Sequence, residues 1–194
     1  MSVASIRLII GAIVLLLYFN YKKLKLKLSF NEIKYIFLIA LIGNLIPFSL
    51  ISWAEIYIKS NTAGILLSIA PIFALILSHF MTRDDKFSIL KLISILIGFI
   101  GVLLIFGLDS LHITSKNFLP KIAIIISALG YVLSSIFAYN LKKIDSVSLT
   151  TTVTLFAALL SIPFLIFSEL KFTSSFSLPS LLVLFYLGIF PTAV

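Results

Sequence analysis

Cysteine is absent from the 194 residues, and charge is scarce, with Asp, Glu, Lys and Arg together making up 11%. Without cysteine there is no disulfide scaffold, no Cys-ligated zinc and no thiol nucleophile. No HExxH spacing, no nucleophile paired with a base and no Walker-type phosphate loop occurs either. Metalloprotease, hydrolase and ATP-driven chemistry are therefore not expected, and neither is a cofactor or a metal. What is abundant is apolar: 61% of the chain, with a mean hydropathy of +1.22. A soluble domain is about 45–50% apolar and about 25% charged. In water this chain would have to expose large apolar patches, which soluble monomers avoid. The expected class is an all-α, polytopic membrane protein whose first partner is the lipid bilayer.

Seven segments approach the roughly 20 apolar residues that cross a bilayer core as helix. Val3–Tyr21 is interrupted only by Arg7. Tyr35–Ala54, Ser60–Thr82, Leu92–Leu108, Ile122–Leu141 and Ser146–Ser168 carry no Asp, Glu, Lys or Arg, and Leu178–Val194 closes the sequence. They are apolar on all sides, so they read as helices rather than as alternating barrel strands.

The net charge of +8 is distributed by loop. Lys22, Lys23, Lys25, Lys27 and Lys34 belong to the first loop, Arg83, Lys86 and Lys91 to the third, and Lys142 and Lys143 to the fifth. The even loops hold only Lys59, Lys116, Lys121 and Lys171. The positive-inside rule then places the odd loops in the cytoplasm and the N-terminus outside. The alternating Lys and Leu of 22–28 read as a connector at the inner headgroup surface. No basic patch interleaved with aromatics is formed, so nucleic acid is not an expected partner.

An internal repeat is the best pointer to mechanism in such a chain. Phe37–Leu50 reads FLIALIGNLIPFSL and Val183–Val194 reads VLFYLGIFPTAV. Pairing Gly43 with Gly188, an offset of 145, brings Pro47 and Pro191 within one position of each other and lays Val3–Tyr21 over Ser146–Ser168. The step from the second span to the seventh is odd, so equivalent helices cross in opposite senses. The same offset leaves unpartnered spans that would complete a ten-helix molecule, with one helix upstream and two downstream.

These residues resemble the EamA-type family of the drug/metabolite transporter superfamily. The resemblance is carried by NLIPFSLISWAEIYIKSNTAGILLSIAPIFALILSHFM, by the charged turn Arg83–Lys86, and by IGFIGVLLIFG. Thr62, Ala63 and Gly64 match the small residues opening a helix, Pro71 the mid-membrane proline, and Arg7 the arginine of the family's second helix. Ser94 stands where a glycine is usual. The resemblance implies helices two to eight of ten. It divides the chain into a first repeat over 1–108 and a second over 119–194. It further implies a secondary-active permease moving a small organic metabolite by alternating access, with coupling to protons and solute exchange both open. The bacterial inner membrane is the expected location. The alternative is a non-transporting membrane protein, either a truncated remnant or a helix bundle stabilising a partner. A homodimer whose chains complete each other's cavity is a further arrangement.

Candidate substrate-cavity residues are Asn44, Pro47, Trp53, Ser68, Pro71, Tyr131 and Ser135. Proline frees a carbonyl and kinks a membrane helix, which marks Pro47 and Pro71 as hinges. Asn44 should face the bundle, either as interhelical glue or as a substrate contact. Ser68 either faces the same cavity as Pro71 or bonds its own helix. Trp53 and Tyr57 read as interface anchors or as an aromatic wall. Tyr131, Ser134, Ser135 and Tyr139 form a polar stripe at helical spacing. Coupling candidates are Glu55 and His79. Thr150, Thr151, Thr152 and Thr154 read as caps and interhelical bonds, and Ser94 with Gly98 as a small-residue face for close helix contact. No buried Lys or Arg is expected, which argues against a highly charged substrate.

The cysteine-free background makes the topology directly testable. In intact cells a membrane-impermeant maleimide should label Lys59→Cys, and it should label Lys23→Cys and Lys142→Cys only after the membrane is opened. The reverse pattern would overturn the orientation.

Overall fold

The computed structural model describes residues 2–24, 28–82, 87–107, 117–167 and 178–193. The centre of the Lys–Leu stretch, the charged turn 83–86, and Lys116 and Lys171 lie outside the described residues. Every regular element among the described residues is helical: α1 (Ser2–Tyr21), α2 (Phe30–Ala40), a π-helical turn (Leu41–Leu45), α3 (Ile46–Ala54), α4 (Ser60–Leu67), α5 (Ala70–Met81), α6 (Ile89–Phe106), α7 (Phe118–Tyr139), α8 (Ser146–Phe167) and α9 (Leu178–Ala193). Taken as continuous spans, six are long and apolar enough to cross a membrane: Val3–Tyr21, Phe30–Ala54, Ser60–Met81, Ile89–Phe106, Phe118–Tyr139 and Ser146–Ile166. The seventh expected span is helical too, as α9 (Leu178–Ala193).

Helix starts follow local chemistry. Ser29 and Glu32 form a reciprocal capping box, in which Glu32 N–H donates to Ser29 Oγ (3.4 Å) and Ser29 N–H to Glu32 Oε2 (2.6 Å). The second span therefore begins at Phe30 rather than Tyr35, and Lys34 lies on the helix. Before α8, the Asp145 carboxylate accepts from Ser148 N–H at 3.0 Å.

Two spans are broken beside a proline. Pro47 has no N–H for the Gly43 carbonyl four residues back, and the chain widens into the π turn at that place. Pro71 likewise leaves the Leu67 carbonyl without its donor. There α4 ends at Leu67, and the chain passes through a tight turn, with Ile69 N–H to Leu66 O at 3.3 Å, into α5.

The chain forms two compact units, Met1–Leu45 with Phe137–Val194, and Ile46–Ile136. In the first unit α1 packs on α8 and on α9, while α8 also packs on α2 and on the π turn. The buried stripe of α1 is Ala4, Ser5, Leu8, Gly11, Ala12 and Leu15, at helical spacing. Its partner α8 buries Ser148, Thr151, Thr152, Thr154, Ala157, Ala158 and Ser161. Small residues let backbones approach where lipid supplies no hydrophobic drive. The tightest approach is α1 against α9. A Cβ added at Gly188 would lie 2.6 Å from Ile10 Cγ2 and 2.7 Å from Ile10 Cβ, and one at Gly11 would lie 2.6 Å from Thr192 Cγ2.

In the second unit Ala54 of α3, Ala63 of α4, and Ala123 and Ile124 of α7 form a small core, covered by residues that include Leu50, Trp53 and Leu66. α6 lies against α4 and α5, and none of its residues is buried. Leu104 and Ile105 are 80% and 79% exposed. In water each would forfeit about 1.5–3 kcal/mol of burial, whereas facing lipid costs nothing of that kind.

Two expectations are corrected. Gly98 makes no close helix contact, because a Cβ there meets nothing within 4 Å and Ser94 is exposed. The glycine-mediated crossing lies instead between Gly11 and Gly188. Lys121 is not a loop residue: it follows Pro120 in the first turns of α7 and is 6% exposed.

Gly188→Ala should lower detergent-phase thermal stability, by about 1–3 kcal/mol for overpacking against Ile10. Gly98→Ala should leave it unchanged or slightly raised, by up to about 1 kcal/mol from helix propensity. Equal losses at the two sites would contradict the assigned crossing.

Candidate functional site

The helix breaks place polar groups in the middle of apolar spans. Asn44 lies in the π turn and is half-buried, with Gly43 and Leu45 buried on either side. Pro47 is fully buried at the start of α3. Its carbonyl accepts from Ser127 Oγ on α7 at 3.5 Å, and the same hydroxyl donates to Ala123 O at 2.8 Å. One helical turn along α7, Tyr131 meets Phe48 edge-on, with ring centroids 6.2 Å apart. Pro47, Phe48, Ser127 and Tyr131 therefore form one α3–α7 cluster.

Ser127 and Phe48 were missed in the sequence. The signal for Ser127 was present, since it lies four residues before Tyr131 and extends the polar stripe by one turn. Further along, Ser134 Oγ and Ser135 Oγ both donate to Tyr131 O, at 2.8 and 3.0 Å. Ser134 is buried and Ser135 exposed, so the stripe divides between two faces. Tyr139 is exposed, with Lys142 Nζ 4.6 Å above its ring.

Ser68 and Pro71 fall in a different place. With Ser94, Ile95, Gly98, Phe99 and Val102 they line an open groove of about 390 Å³ between the broken α4–α5 span and α6. The volume suits a small molecule. Both hydroxyls, however, are engaged within their own helices, Ser68 with Ile65 O at 2.6 Å and Ser94 with Leu90 O at 3.0 Å. The groove wall is otherwise apolar.

Trp53 packs on the Ala54–Ala63–Ala123–Ile124 core and against Tyr57, with centroids 5.4 Å apart. Glu55 is exposed in the turn after α3, its N–H bonded to Ile51 O at 2.9 Å. His79 Nδ1 accepts from Phe87 N–H at 3.1 Å and its ring meets Phe80 and Phe87. That bond holds the ring in the tautomer with its proton on Nε2. Thr151 and Thr152 donate to Val147 O and Ser148 O, each at 2.7 Å, as intrahelical bonds. No group of three or more metal-ligating side chains occurs among the described residues.

The architecture is that of a multi-pass α-helical membrane protein with two spans interrupted near their middles. The chain belongs to the EamA-like transporter family, whose pattern matches residues 1–107. It is 27% identical to an uncharacterized transporter of Clostridium kluyveri across 100% of this chain and 64% of that protein. It is 25% identical to the uncharacterized transporter YoaV of Bacillus subtilis over 73% of this chain and 49% of YoaV. With the uncharacterized transporter YetK of Bacillus subtilis it shares 33% identity over 67% of this chain and 41% of YetK. The chain thus spans about two fifths to two thirds of the length of these relatives. A solved crystal structure has the same fold, with a TM-score of 0.78 over 97% of this chain and 65% of the other, at 15% identity.

Pro71→Ala restores a donor for the Leu67 carbonyl and removes an exposed ring, so little packing is lost. Stability should rise by about 1–3 kcal/mol, and the amides of residues 68–72 should exchange more slowly with deuterium. Unchanged exchange there would mean that the break does not depend on proline.

Proposed function

We propose that the protein is a secondary-active permease of a bacterial inner membrane, and that it moves a small organic metabolite by alternating access. The observation carrying this reading is the pair of broken spans. Irregular backbone at membrane depth is tolerated only where protein or a water-filled cavity surrounds it, and transporters place substrate at such breaks. The π turn puts the half-buried Asn44 at one break, and the Ser68–Pro71 turn forms the other.

Membership of a transporter family supports the same reading. So does the packing of α1 on α9, which resembles that of α8 on α2 and the π turn when α1 is exchanged with α8. That likeness is what two inverted repeats, 1–108 and 119–194, would produce. In this reading Asn44 contacts substrate while Pro47 and Pro71 hinge the spans. Tyr131 with Phe48, and Trp53 with Tyr57, supply aromatic walls. Catalysis and nucleic-acid binding have no part in it.

The test is vectorial movement. Cells producing the chain are screened with radiolabelled amino acids, nucleosides and small organic acids for uptake or export above a vector control. At least one solute should move, and Asn44→Leu should reduce its rate about tenfold or more at unchanged membrane abundance. Movement of no solute would overturn the permease reading and favour a bundle that stabilises a partner. An undiminished rate in Asn44→Leu would remove Asn44 from the site.

A further inference from the structure

The α1–α9 crossing holds a polar contact that the substrate path does not use. Arg7 Nε donates to Thr192 Oγ at 2.8 Å, and Thr192 Oγ donates to Leu187 O at 2.9 Å. The second bond has a local cause. Pro191 has no N–H for the carbonyl four residues before it, which is that of Leu187. An unmet carbonyl in an apolar setting is costly, and the Thr192 hydroxyl meets it. With its proton so placed, the Thr192 oxygen remains an acceptor, and Arg7 supplies the donor. Around this relay the two backbones almost touch, since a Cβ at Gly188 would lie 3.3 Å from Arg7 O and one at Gly11 would lie 3.1 Å from Gly188 O. Shape and a charge-assisted hydrogen bond thus hold the same crossing.

The counterpart interface lacks the polar half of this arrangement. At the offset of 145, Arg7 corresponds to Thr152 and Thr192 to Pro47. Thr152 gives its hydroxyl proton to Ser148 O at 2.7 Å, and a proline side chain neither donates nor accepts. The residues at the matching positions therefore supply no cation–hydroxyl pair.

We infer that the Arg7–Thr192 clasp biases the resting state of the permease, holding the α1–α9 interface shut so that the α8–π-turn interface is the one that opens at rest. Arg7 is a positioning residue in this scheme: it acts through α9 and touches no substrate. The inference rests on the alternating-access reading, and the experiment separates the two.

Single-cysteine reporters at Ile42→Cys, beside Asn44, and at Leu187→Cys, its counterpart at the offset of 145, are labelled with a water-soluble maleimide in membranes. Each reporter is combined with Arg7→Gln, Arg7→Lys, Thr192→Val or Thr192→Ser. Arg7→Gln and Thr192→Val should speed labelling at position 187 and slow it at position 42, shifting the ratio of the two rates by about tenfold, the scale of one charge-assisted hydrogen bond. Thr192→Ser, which keeps the hydroxyl, should retain the original ratio. Arg7→Lys should lie between. No change at either reporter would overturn the clasp and leave alternating access standing. Faster labelling at both would overturn it as a general loosening of the bundle. A change at position 187 alone would overturn the bias and count against alternating access itself.

Discussion

A carbonyl within hydrocarbon has no water to bond, so every interruption of a membrane helix must be repaired from inside the protein. The rest of this structure follows from that constraint. Pro47, Pro71, Pro163 and Pro191 each withdraw one N–H from a span; α8 runs on through Pro163, and the other three are met differently. Before Pro47 the backbone widens into a π turn. At Pro71 the helix stops and restarts. At Pro191 the Thr192 hydroxyl takes over the bond to Leu187.

The same constraint governs where chemistry can reside. Hydroxyls are plentiful in the spans, yet Ser68, Ser94, Ser127, Ser134, Ser135, Thr151, Thr152 and Ser161 all donate to carbonyls of their own helices. A hydroxyl so engaged retains acceptor capacity but has no proton to offer a solute. In the proposed permease, recognition is assigned to groups of other kinds, among them the Asn44 amide and the aromatic rings of Phe48, Tyr131, Trp53 and Tyr57. A buried Lys121 and a half-buried Arg7 put positive charge within the spans. That removes the argument against charged substrates which an apparently neutral interior had suggested.

Lipid as solvent explains the outward faces. α6 buries nothing and, apart from Lys91 and Ser94 near its start, is apolar throughout, which would be untenable in water and is ordinary in a bilayer. Its Ser94 and Gly98 border a groove instead of a helix crossing. The motif that brings helices together depends on a partner's shape, and four-residue spacing on one helix does not say whether that partner is there.

Class, span positions and the breaks beside Pro47 and Pro71 were legible in the sequence, because each depends on local chemistry, although α8 continues through Pro163. Apolar runs about 20 residues long leave no soluble alternative, and a proline withdraws its own N–H whatever surrounds it. The capping box at Ser29 and Glu32 was missed, because the apolar run was read from Tyr35 onward. Tertiary structure alone decided which polar groups meet. Ser127 below Pro47, Arg7 on Thr192, and Gly11 against Gly188 join residues far apart in the chain, and nothing in either segment names the other. In greasy helices almost any residue can face lipid or protein at little difference in free energy. Orientation about the helix axis is therefore set by packing, and packing is a property of the assembled bundle.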